Sequence, residues 1–70
     1  MDNLRELRTL AGLSQIRLAR LASVSRARVS FAECGEVELT DQEQRAILLV
    51  ICELLRRRAQ RISFVLDDTA

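Results

Sequence analysis

Seventy residues make a single domain, and a chain this short buries only about 60% of its unfolded surface, so a monomer is marginal unless something supplements its core. Apolar residues form 49% of the chain and aromatic ones 3%, which leaves Leu, Ile, Val and Ala to build a core of helix on helix; with no histidine and two cysteines, metal-built and disulfide-built folds are excluded. The formal charge of +1 names no partner, but its distribution does: residues 1–32 carry +4, residues 33–55 carry −5 and residues 56–70 carry +2, with all eleven basic residues arginine.

The first helix is expected from about Asn3 to Ala11, where Leu4, Leu7, Arg8 and Ala11 fall at helical spacing and Gly12 supplies a left-handed stop. Ser14 caps a second helix whose apolar face is Leu18, Ala19 and Ala22, with Ile16 and Leu21 at its margins and Arg17 and Arg20 outward. Ser23-Val24-Ser25 is too short for anything except a turn, and Ser25 caps a third helix. At about 100° per residue that helix turns Val29 and Ala32 inward and leaves Ala27, Ser30 and Phe31 on the opposite arc, with Arg26 and Arg28 at its edges.

Glu33 to Leu39, which contains Gly35, reads as a loop, and Glu33 as a partner for an arginine of the same domain. Thr40, followed three residues later by Glu43, forms a capping box that opens a fourth helix near Asp41. No breaker interrupts it through Arg58 or Arg61. Ile47, Val50, Ile51, Leu54 and Leu55 share one face, while Leu48, Leu49, Cys52 and Ala59 lie well off it, an apolar arc wider than the roughly 100° stripe that one core buries. The spare face needs a partner. Arg56, Arg57, Arg58 and Arg61 suit the dipole at the end of a helix; Ile62 to Leu66 is either a helix end or a short strand, and residues 67–70 are expected to fray.

Leu13-Ser14-Gln15, Leu18-Ala19, Val24-Ser25-Arg26, Val29-Ser30 and Glu33 with Gly35 together resemble the Cro/C1-type, or XRE-type, helix-turn-helix repressors, over roughly residues 3 to 55. The resemblance implies an all-α, lambda-repressor-like bundle of four or five helices whose third helix enters the major groove while dimers read palindromic operators. It places Arg26, Ala27, Ser30 and Phe31 toward bases, and Gln15, Ser25, Arg28 and, more weakly, Arg17 toward phosphates. Gln15 would also buttress the first base reader. Two positions depart from the pattern. Ser23 stands where the family has a left-handed glycine, at a cost on the order of 1 kcal/mol, and Ala32 replaces a larger aliphatic residue.

The resulting expectation is one domain over residues 1–66, with the helix-turn-helix at 15–33 and a dimerisation helix and tail at about 41–66. Its function is that of a cytoplasmic, sequence-specific regulator, a dimeric repressor whose partners are double-stranded DNA and a second copy. Leu48, Leu49, Cys52, Ala59 and Phe64 form the expected dimer interface, with residues 62–66 paired as strands across the twofold axis if they are extended. Alternatives are an antitoxin or restriction-modification controller that regulates its own operon, and a protein-docking module that uses the acidic stretch Glu33 to Glu43. Catalysis is not expected, since histidine, lysine, a phosphate-binding glycine loop and a paired-carboxylate arrangement are all lacking. No cofactor, metal or membrane is called for, the longest apolar run, Ala46 to Cys52, being far short of the roughly 20 residues of a span.

Overall fold

The computed structural model describes the backbone of residues 3–69 and the side chains of residues 3–62. Its four helices are α1 (Leu4–Leu10), α2 (Gln15–Ala22), α3 (Arg26–Glu33) and α4 (Asp41–Thr69), with no strand among the described residues. Each boundary has a local cause. Gly12, at φ +73°, turns the chain out of α1 while Leu13 N–H donates back to the Arg8 carbonyl at 3.0 Å. The Ser14 and Ser25 hydroxyls accept from the backbone N–H groups of Arg17 and Arg28 at 3.1 and 3.2 Å, capping α2 and α3. Ser23 occupies the left-handed region at φ 57°, as the turn demands despite the missing glycine.

Thr40 and Glu43 close a reciprocal capping box. The Glu43 N–H donates to Thr40 Oγ1 at 3.1 Å, and the Thr40 N–H donates to Glu43 Oε1 at 2.9 Å. From there α4 runs 29 residues, including Ile62 to Leu66, so the strand alternative is set aside. Neither proline nor glycine follows Gly35 to break the hydrogen-bond ladder, and no strand among the described residues offers a competing one. Residues 67–69, expected to fray, are likewise helical; Ala70 lies outside the described residues.

Leu4, Leu18, Val29, Ile47 and Ile51 are almost wholly enclosed, one or two from each helix. Around them close Ala11, Ala19, Ala22 and Ala32, with Leu13 and Leu39 contributed by the connections. The α3–α4 connection therefore reads as a loop but carries a core anchor. Small residues on α2 and α3 let those two helices pack closely, and α2 in turn lies against α4, whose Ile47 and Ile51 fill the centre. This places α3 across one side of the bundle with Val29 and Ala32 inward and the opposite arc in solvent.

Candidate DNA interface

Eight residues form α3, too few for a helix to hold in water without tertiary support. Beyond the buried Val29 and Ala32, two ion pairs supply that support. At its last residue, Glu33 accepts from Arg8 of α1 through both carboxylate oxygens, with Arg8 Nε at 2.6 Å and Nη2 at 3.1 Å. Gln15 Nε2 donates to the same carboxylate at 3.1 Å, and Arg8 Nη1 donates to the Leu13 carbonyl at 2.8 Å. One charged node thus joins α1, the α1–α2 turn, α2 and α3.

The Glu33 and Arg8 side chains are only 4% and 14% exposed, so the pair is shielded from water on most sides. Burial alone would raise the Glu33 carboxyl; hydrogen bonds from Arg8 and Gln15, with the charges of Arg8 and Arg5, outweigh it and hold the group below its ordinary value. The bond to Glu33 correspondingly raises Arg8. The expectation that Glu33 meets an arginine of its own domain holds. Its partner was not identified from the sequence, although an arginine on the Leu4–Leu7–Ala11 stripe of α1 required a buried acid.

At the other edge of α3, Arg28 Nε and Nη2 donate to Glu43 Oε2 and Oε1 at 2.6 and 2.8 Å, and Nη2 also reaches the Glu38 carbonyl at 3.4 Å. Arg28, expected at a phosphate, is thus paired with the start of α4. The reason is geometric, because the capping box puts the Glu43 carboxylate beside the edge of α3 that carries Arg28. That signal was hidden because the capping role already accounted for Glu43. The Arg28 and Thr40 hydrogen bonds lower the Glu43 carboxyl from 4.5 to about 2, and the pairing raises Arg28.

Between these two anchors lies an outward arc. Arg26, Ala27 and Phe31 are exposed, Phe31 at 46%, and Ser30 is half-buried. The Ser25 hydroxyl, having accepted the Arg28 N–H, keeps its own O–H free to donate. Gln15 spends one N–H on Glu33 and retains the other, so it combines a structural bond with a free donor. Arg17 is exposed on the first turn of α2. A guanidinium, an apolar ring, a methyl and a hydroxyl on one short helix match the edges of guanine and thymine, and the flanking hydroxyl and amide match phosphate oxygens.

Elsewhere, Leu48, Leu49, Cys52 and Ala59 stand exposed on α4, Leu49 at 66%, while the Phe64 side chain lies outside those described. Arg56 and Arg57 pair with Glu53 on their own helix, and Arg58 Nη1 donates to the Leu10 carbonyl at 2.7 Å. These arginines therefore do not serve the C-terminus of α4, which runs past them; Arg58 serves that of α1. Both cysteines are free thiols, and no group of metal-binding side chains occurs among the described residues. No described helix is long and apolar enough to cross a membrane.

Neither curated proteins nor solved structures include a match to the chain. The helix-turn-helix family model matches residues 4–48, more than half of the chain and the whole of α1 to α3 with the opening of α4. By that match the chain belongs to the Cro/C1-type helix-turn-helix family of DNA-binding transcription regulators.

Proposed function

We propose that the chain is a homodimeric transcriptional repressor that reads a palindromic operator through α3 and dimerises through the outer face of α4. The observation that carries the reading is the α3 surface, where Arg26, Ala27 and Phe31 face solvent on a helix held at both edges by ion pairs to the rest of the domain. In this reading Arg26 makes two parallel bonds to a guanine, Ala27 and Phe31 pack on thymine methyls, and Ser30 reaches an adjacent base edge. Ser25, Gln15 and Arg17 contact phosphates. The exposed Leu48, Leu49, Cys52 and Ala59 supply the face that a second copy covers, setting two reading helices about 34 Å apart on neighbouring turns of the duplex. Repression follows from occupying a promoter, and the site of action is the cytoplasmic nucleoid.

Selection of bound duplexes from a random pool tests the reading. The expected product is a two-fold symmetric sequence. Arg26→Ala then loses about 1–3 kcal/mol of affinity and relaxes preference at one base pair of each half-site. An unselective pool, or Arg26→Ala that binds every sequence as the unaltered protein does, would exclude base reading by α3.

A further inference from the structure

We propose that Glu43 is a specificity-determining residue of the DNA contact, holding Arg28 of the reading helix away from the phosphate backbone. The inference deepens the proposed DNA reading and rests on it.

Arg28 sits on α3 two residues from Arg26, at the edge of the arc that faces solvent, where a free guanidinium would be the first group on that side to meet a phosphate. It is not free. A guanidinium has five N–H donors, and three of Arg28's are committed: Nε–H and one Nη2–H to the two Glu43 oxygens, and the second Nη2–H to the Glu38 carbonyl. The carboxylate is equally committed, since Oε1 also accepts the Thr40 N–H at 2.9 Å. Glu43 lies in the first turn of α4, where the helix dipole favours an anion, so it is held whether or not DNA approaches.

To a polyanion, the closed fork is a pair of no net charge. A phosphate that recruits Arg28 must either displace the bidentate carboxylate or bind the two uncommitted Nη1 N–H groups of a guanidinium whose charge that carboxylate already offsets, and both gain less than binding to a free guanidinium. Arg26 on α3 and Arg17 on the first turn of α2 stay exposed, with Arg26 directed at bases in the proposed reading. Phosphate contacts add affinity for every sequence alike, whereas base contacts add it for one. Keeping Arg28 out of the first set lowers binding to random DNA while leaving base reading intact, and so widens the ratio between them.

The test is the slope of log affinity against log salt, measured for the full chain on a random-sequence duplex and on a duplex selected by the chain. Each phosphate contact contributes about 0.9 to that slope. Glu43→Gln keeps an oxygen for the Thr40 N–H and removes the charge. It is expected to steepen the slope by about 0.9 per protomer, to tighten binding to random DNA, and to lower the ratio of selected to random affinity. Arg28→Met with Glu43→Gln removes both charges together and is expected to restore the slope of the unaltered protein. A double variant whose slope is shallower by about 0.9 per protomer would show that Arg28 already contacts a phosphate, and would overturn the proposal, as would a Glu43→Gln slope equal to that of the unaltered protein.

A second measurement needs no variant. The Arg28 Nε–H resonance of the unaltered chain should keep its position and its slow exchange with water when the selected duplex is saturating, and a shift with faster exchange would again contradict the assignment. Absence of salt-dependent binding by the unaltered chain to either duplex would remove the DNA reading itself. Binding with the wrong pattern of slopes would remove only the role of Glu43.

Discussion

The Glu33 side chain is 4% exposed and bonded to Arg8 and Gln15. Replacing it by alanine leaves Arg8 enclosed without an anion, a change expected to cost on the order of 3 kcal/mol in urea unfolding. The same node predicts a dependence on acidity. Both Glu33 and Glu43 have carboxyls lowered in the folded state, Glu43 from 4.5 to about 2. The unfolded chain therefore takes up protons first, so the stability they contribute is complete above about pH 4.5 and is lost as pH falls toward 2. Thermal melts between pH 7 and 3 should show that loss, and Glu33→Gln should melt lower at pH 7 with a smaller further drop on acidification. A melt independent of pH in this range would contradict both pairings.

Turns rather than helices carry the strain at the level of elements. Ser23 holds a left-handed backbone at φ 57° between α2 and α3, and glycine there is expected to stabilise the fold by about 1 kcal/mol. The opposite sign is expected at Gly12, whose φ is +73° and whose missing Cβ leaves room for Arg58. A Cβ at that position would stand 2.8 Å from Arg58 Nη2. Gly12→Ala therefore introduces left-handed strain and pushes Arg58 from the Leu10 carbonyl, for an expected loss of about 1–2 kcal/mol by urea unfolding. These turns and their caps were readable in advance, because a glycine stop, a serine cap and a capping box each act over three or four residues. The length of α4 was not, because the β-branched run around Ile62 is equally compatible with helix and strand until a partner for the strand is sought and none is present among the described residues.

For the molecule as a whole, α4 dominates the shape, an elongated body with extents of 48 × 19 × 18 Å. Its inner face, Ile47 and Ile51, belongs to the core; on its outer face Leu49 is 66% exposed. The proposed dimer predicts that the unaltered chain sediments as a dimer at tens of micromolar. Leu49→Glu should sediment as a monomer with unchanged helical circular dichroism, because that side chain contributes little to its own domain. A monomer for the unaltered chain, or a dimer for Leu49→Glu, would take the interface off this face.

Local sequence determined the helix starts and stops, the inward faces and the exposed arc Arg26, Ala27, Ser30 and Phe31, because each follows from helical periodicity and from hydrogen bonds that close within one turn. It also singled out Gln15 to Glu33 as the reading segment, since the spacing of that motif lies within a short stretch. Tertiary structure alone decided which charges meet between helices. Arg8 with Glu33 lies 25 residues apart, Arg28 with Glu43 lies 15 apart, and Arg58 reaches a carbonyl 48 residues away. Every arginine carries the same charge in the sequence; beyond the pairs that Arg56 and Arg57 make with Glu53 within α4, the packing of the helices determines which are neutralised by a carboxylate and which, like Arg26, are left for a partner.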